Sequence, residues 1–181
     1  MNRIALGTFM LPMRALPLVA VFCCSCITTS LDGAKIRPQP VLSSADLPRL
    51  PVNISSAVLA QAACDHTVSV PGWRDAVARS VEKLGVPVAA VQPGIVIDVM
   101  EPNCVTGHYN VVQVRYRARL LGPHGEELAA TNGIANGAPF SALDWSDHGE
   151  SSLALGLELA IQDAVVPLLE QGKALNLLSS R

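Results

Sequence analysis

The feature that most constrains the fold is the alternation of apolar and polar residues in the segment from Tyr109 to Leu121, which is unbroken from Val112 to Leu120. Successive side chains of a β-strand point to opposite faces, so this segment buries one face and leaves the other in water. Gly122 to Gly125 predicts a turn, and Glu127 to Ile134 predicts the returning strand of a hairpin. One-sided burial of this kind is typical of an antiparallel sheet. The apolar face has Val112, Val114, Tyr116, Ala118 and Leu120, and the polar face has Gln113, Arg115, Arg117 and Arg119.

The spacing of apolar residues predicts the other elements. Two short strands are predicted over residues 52–60 and 95–100, and an amphipathic helix between Pro71 and Gly85. A second helix, apolar nearly all round, is predicted over residues 151–171, and Pro167 is expected to kink it or to end its first segment near Val166. The order strand, helix, strand, strand, strand, helix predicts an α+β fold. We expect a two-layer sandwich, with both helices on one face of a mainly antiparallel sheet.

The first residues have the pattern of an export signal. Arg3 and Arg14 precede an apolar run that ends at Cys24, and small residues follow it. The longer apolar run from Ile4 onward is interrupted by Pro12, Arg14 and Pro17, so it is a poor candidate for a membrane-spanning helix. We expect a signal peptide over residues 1–25. The end of the run resembles a bacterial lipobox, with Cys24 and Ser25 as the small pair before Cys26, although Cys23 stands where leucine is usual.

This pattern predicts lipidation of Cys26, and Ile27 rather than aspartate after it implies the outer membrane. The alternative is ordinary cleavage near Ser30. Four prolines among polar residues predict a flexible tether over residues 26–51, with a single domain over 52–181. Loss of Arg3 and Arg14 takes the formal charge from −2 to about −4, which gives no reason to expect nucleic acid as a partner.

Two cysteines, Cys64 and Cys104, remain in the exported chain beside Cys26. Thiols in an oxidising compartment tend to pair, so we expect a Cys64–Cys104 disulfide. The alternative is a soft-metal site with His66 and His108, but the spacing of these four residues is not that of the usual zinc sites. We therefore predict no metal and no cofactor.

The polar face of the hairpin provides a candidate site for anions. Arg115, Arg117 and Arg119 form a positive stripe that can bind phosphate or carboxylate groups. The alternative is that Asp98, Glu126 or Glu127 on neighbouring strands neutralise them. The loop from Asp144 to Ser151 gathers acid, hydroxyl and imidazole groups, but it has no nucleophile elbow. Its Asp147, Ser151 and Ser152 are expected to cap the second helix. The sequence therefore predicts no enzyme.

The strand pair from Val111 to Ala130, followed by the Leu/Ala-rich helix to Gln171, resembles a group of small periplasmic lipoproteins. These are the auxiliary lipoproteins of ABC-type transporters and the YajG-like lipoproteins, whose domains resemble the amino-terminal domain of TolB. The resemblance implies a non-catalytic binding or accessory subunit of an envelope or transport complex, with an envelope protein as partner. The alternative function is a soluble periplasmic binder of an anionic small molecule or lipid.

Overall fold

The main sheet of the protein has four strands. The second, third and fourth are consecutive antiparallel neighbours, as predicted, whereas the first pairs in parallel with the second. In spatial order they are β2 (Asn53–Leu59), β5 (Gly94–Val105), β6 (Val111–Leu121) and β7 (Glu127–Asn136). The computed structural model describes residues 27–36, 47, 51–63, 66–91, 93–141 and 145–176.

Two helices pack against one face of this sheet. They are α1 (Trp73–Lys83) and α2 (Glu150–Ala174). Val77 and Val81 of α1 share one buried core with Leu157 of α2 and with the inward residues of the strands. Gly85, at a φ of 81°, follows the last turn of α1 in a conformation that favours glycine. The predicted α+β two-layer sandwich and the predicted order of its elements are confirmed.

The helix α2 is the principal apolar element of the core. It is long and apolar enough to cross a membrane by length and composition, but 67% of its most apolar stretch is buried in the protein, as expected for a core helix. The helix continues through Pro167 to Ala174, so its first segment does not end near Val166, and a kink at Pro167 is the alternative that stays a prediction. A proline inside a helix costs about 3 kcal/mol. Burial of Leu168 and Leu169 just after it offsets that cost.

A second, smaller sheet overturns part of the predicted tether. It has the order β1 (Ile27–Ser30), β4 (His66–Ser69) and β3 (Ala62–Ala63), with β1 parallel to β4. Residues 27–36 therefore belong to the fold. Leu31, Ile36 and Leu47 are each at most 8% exposed and belong to the core. The described residues that the sequence assigns to the tether thus contribute to the fold, because isolated apolar side chains in a proline-rich segment find partners far away in sequence.

Candidate functional site

The helices leave the other face of the main sheet open to solvent, and we call its β5, β6 and β7 side chains the outer face. The alternation along β6 places Arg115, Arg117 and Arg119 there, as the sequence indicates. On β5 the neighbours of these arginines include Asp98 and Glu101, and on β7 their neighbours are both apolar and polar residues. The outer face of β7 has Ala130, Asn132 and Ile134, all exposed.

The three arginines differ in charge compensation. The Nε of Arg119 donates hydrogen bonds to both carboxylate oxygens of Asp98, at 2.8 and 3.1 Å, and its Nη1 lies 3.6 Å from Oε2 of Glu127. The hydrogen bonds and charge of Asp98 raise the pKa of Arg119, and Glu127 adds to the effect. Arg117 is 62% exposed, and its Nε is 3.6 Å from Oδ2 of Asp98. Pairing of the stripe with neighbouring acids therefore occurs at Arg119 and, more weakly, at Arg117.

Arg115 is the exposed arginine of the stripe that makes no ion pair with the described residues. Its register partners are Glu101 on β5 and Ile134 on β7, and Ile134 is 52% exposed. The stripe therefore has free positive charge at one end and a neutralised cation at the other. An incoming anion would meet Arg115 and Arg117 beside an exposed apolar side chain.

The edge strand β7 borders this surface. No other described strand pairs with its free side. After Glu127 the strand contains neither a charged residue nor a proline, which are the usual devices that block pairing at a sheet edge. The outer face thus continues into an edge that can accept an added strand.

A groove of about 380 Å³ lies on the opposite side of the sheet, between β6 and α2. The ring of Tyr116 lies close over Gly133, where a Cβ would overlap its hydroxyl. Burial raises the pKa of Tyr116, with a contribution from the charge of Asp163, and burial also raises the pKa of Asp163. Pro167 has no N–H, so the helix offers no i+4 donor to the carbonyl of Asp163. The groove is lined by Tyr116, Gln162, Asp163, Val166 and Pro167.

The sequence analysis did not identify this groove, although Pro167 stands four residues after Asp163 and leaves the Asp163 carbonyl without its helical donor. The alternation of β6 assigns Tyr116 to the buried face, and it does not show that the ring is only partly covered. The groove is small and, among the described residues, its lining contains no cationic side chain, whereas the outer face presents exposed arginines beside the free edge of β7. We therefore place the candidate site on the outer face.

The predicted cysteine chemistry lies mostly beyond the described residues. Cys104 is half-buried on β5 and is not a free thiol. Cys26 and Cys64 lie outside the described residues, so lipidation and the Cys64–Cys104 disulfide stay predictions. Among the residues that the structure describes, no three His, Cys, Asp or Glu side chains form a cluster that could hold a metal ion.

The described part of the loop before α2, residues 145–149, has a structural role. Residues Trp145–Gly149 form a π-helical turn, and the Trp145 ring packs edge to face against Phe140 at a centroid distance of 5.4 Å. Gly149 precedes α2 without a side-chain cap. Ser152 is instead buried, and its Oγ accepts a hydrogen bond from the Val112 N–H at 3.2 Å. The capping prediction is therefore wrong for Ser152, which joins α2 to β6.

Comparison with known proteins shows the fold alone. No family model matches the chain, and no curated protein matches it. The crystal structure of protein XCC0632 from Xanthomonas campestris, of the DUF330 family, is similar with a TM-score of 0.57 and 14% identity, covering 83% of this chain and 96% of that one. The PelC dodecamer from Paraburkholderia phytofirmans aligns with a TM-score of 0.26 and 19% identity over 71% of this chain and 95% of that one. The likeness to XCC0632 supports the predicted fold, and the specific lipoprotein families stay predictions.

Proposed function

We propose that this protein is an exported bacterial envelope protein, anchored by a lipid on Cys26, that binds another envelope component without catalysis. The outer face carries the proposal, because Arg115 and Arg117 are exposed there beside the apolar Ile134. The signal-like first residues support export, and the bacterial structural neighbour agrees with such a setting. The accessory role in a transport complex, which the lipoprotein resemblance implies, is part of the same proposal.

A protein is the partner that this surface fits best. Small-molecule sites are concave and mostly apolar, whereas the outer face is an open sheet surface. Arginines are enriched at protein interfaces, and the exposed side chain of Ile134 beside them adds apolar area that binding can bury. The unblocked edge of β7 offers backbone groups to an extended segment. We therefore expect an acidic partner segment that lies along β7 and contacts Arg115 and Arg117.

Site-specific crosslinking in the native envelope tests this function. A photoreactive residue at Asn132, which pairs with Arg117 across β6 and β7, should give a defined adduct whose partner can be identified. The matched control places the same residue at Glu82, an exposed position on α1 away from the outer face. The docking role of the outer face would be contradicted if both positions gave the same crosslinked products, or if Asn132 gave none.

Removal of the two exposed positive charges should weaken partner capture. The double change Arg115→Gln and Arg117→Gln is expected to lower capture by roughly tenfold at low salt, because surface charges mainly speed encounter. The difference should shrink as salt is added. Affinity measured against the crosslinked partner across a salt series checks this. Lys83→Gln, on α1, is the control that removes a positive charge away from the outer face. An equal loss of partner affinity in this control would show that net charge alone matters.

The second candidate function is binding of an anionic small molecule or lipid, and the pairing of Asp98 provides its test. Asp98 contacts both Arg117 and Arg119, so Asp98→Asn should release positive charge onto the outer face. If the site binds anions, Asp98→Asn should bind phosphatidylglycerol vesicles several-fold more strongly than the native chain. Cosedimentation measures this, with phosphatidylcholine vesicles as the neutral control. Unchanged vesicle binding would reject the anion function and leave the protein partner.

A further inference from the structure

We infer that one end of the domain rests on the bilayer beside the acyl chain of Cys26. This membrane end consists of residues 105–111, which connect β5 to β6, together with residues 136–141. The inference rests on the lipid anchor of the proposed function. It adds the surface that contacts lipid and the direction in which the outer face points.

The first observation is the absence of a spacer. β1 begins at Ile27, directly after Cys26 in the sequence, and it pairs in parallel with β4 from His66 onward. Leu31 then enters the core with no exposed surface. A flexible tether of 25 residues would span about 25–30 Å. Because residue 27 already belongs to a strand, an acylated Cys26 would hold the domain directly against the bilayer.

The topology identifies the end of the domain that faces the lipid. β2 runs parallel to β5, and the N–H of Ala60 donates to the Met100 carbonyl at 2.9 Å, so β3 follows in the direction in which β5 ends. β3 packs against β5. β4 then turns back antiparallel to β3, and β1 lies parallel to β4. β1 therefore starts at the end where β5 passes into β6.

The composition of this end suits a lipid interface. Val105 is 44% exposed and Tyr109 is 65% exposed. No Asp, Glu, Lys or Arg occurs between Glu101 and Arg115. Tyrosine is favoured at the boundary between headgroups and acyl chains, because its ring is apolar and its hydroxyl can stay hydrated.

A second segment without charge extends the same surface. Asn110 and Phe140 exchange two backbone hydrogen bonds, each 2.8 Å long. These bonds hold residues 136–141 against the connection between β5 and β6. The sequence has no charged residue between Glu127 and Asp144. Residues 27–31 at the start of β1 are also uncharged. Three uncharged segments thus meet at one end of a protein with a net negative charge.

This orientation has a consequence for the outer face. The strand axes of the main sheet extend from the membrane end to the opposite end of the domain, so the arginine stripe on the sheet face points sideways rather than at the headgroups. Arg115 lies nearest the bilayer and Arg119 furthest from it, by their order along β6. The outer face is then open to a neighbouring envelope protein.

Depth-dependent fluorescence quenching tests the inference on the full chain. The protein is expressed with its own leader, its acylation is verified by mass spectrometry, and it is reconstituted into vesicles of phosphatidylethanolamine and phosphatidylglycerol. Tyr109→Trp reports the membrane end. Val91→Trp is the matched control, because Val91 is 40% exposed and precedes the start of β5 at the opposite end of that strand. The signal of Trp73 and Trp145, present in every variant, is subtracted with the native chain.

Lipids brominated near the headgroup end of the acyl chain should quench the added Tyr109→Trp signal by roughly a third or more and leave Val91→Trp unchanged. If the acylated protein stays on the vesicles but Tyr109→Trp is not quenched, or Val91→Trp is quenched as strongly, the orientation is wrong while the anchor stands. If Cys26 has no acyl chain and the protein leaves the vesicles, the anchor fails and the orientation falls with it.

Discussion

Replacement of Glu158 by Gln is expected to stabilise the protein by about 2–3 kcal/mol at pH 8 and to have little effect near pH 4. Glu158 is in α2, only 2% exposed, and Oε1 of its carboxylate accepts a hydrogen bond from Gln162 at 3.4 Å. Burial raises the pKa of Glu158 from 4.5 to about 7, although the positive charge of Lys83 opposes the shift. Glutamine has nearly the same shape and keeps the acceptor, and it has no charge to desolvate.

The sign of the effect follows from the two states of the chain. The folded protein binds the Glu158 proton more tightly than the unfolded protein, so the free energy of unfolding falls as the pH rises through 4.5 toward about 7. Above that range the full cost of the buried carboxylate is present in the native chain. The Glu158→Gln variant lacks this dependence. The difference between the two proteins should therefore grow with pH and then level off.

Urea unfolding of both proteins between pH 4 and pH 8 measures this difference. Glu82→Gln is the control with the same chemical change, since Glu82 is exposed on α1 and its replacement should change the free energy of unfolding by at most about 0.5 kcal/mol. A Glu158→Gln effect that does not change with pH would show that the pKa of Glu158 is the same in the folded and the unfolded protein, which contradicts the prediction.

Local periodicity explains why the main fold was predictable. The alternation along β6 extends over a whole strand, and the turn residues after it fix the hairpin with β7. Burial of one face requires partners on that side only, so the sandwich follows from the pattern together with two helices. Each of these inferences uses residues that are close in sequence.

The small sheet could not be predicted in this way. β1 has four residues and pairs with β4 at a separation of almost 40 positions, as in the pairing of Ile27 with His66. Nothing in the local composition of a proline-rich segment indicates that Leu31 or Ile36 will be buried. The same limit applies at Pro167, where the cost of a proline in a helix is local and the compensating burial is tertiary.

The charge pattern of the outer face depends on strand register, which the sequence left open. The pairing of β5 with β6 shifts between Ile97 and Val99, and Asp98 lies at that irregularity. This places its carboxylate within reach of both Arg117 and Arg119. The alternation predicted that the arginines share a face, but which of them pair with Asp98 depends on this irregularity.

Loss of the predicted Cys64–Cys104 disulfide should lower the free energy of unfolding by about 3–4 kcal/mol, because the bond would close a loop of roughly 40 residues and restrict the unfolded chain. The structure is compatible with this pair. Cys104 is not a free thiol, and Cys64 follows β3, which packs against β5. The protein for this test has Cys26→Ser and residues 26–181, so that no other cysteine complicates the result.

Urea unfolding with and without reductant separates the bond from packing at the two positions. Reduced protein and the Cys64→Ala, Cys104→Ala variant should have nearly equal stability, and reductant should not affect the variant. Alkylation of the native, unreduced protein should modify neither thiol, as judged by a gel shift. If both cysteines react freely, or if reduction leaves the free energy of unfolding unchanged, the chain is not crosslinked there. The stability of the small sheet would then depend on the pairing of β1, β3 and β4 and on the burial of Leu31 and Val68.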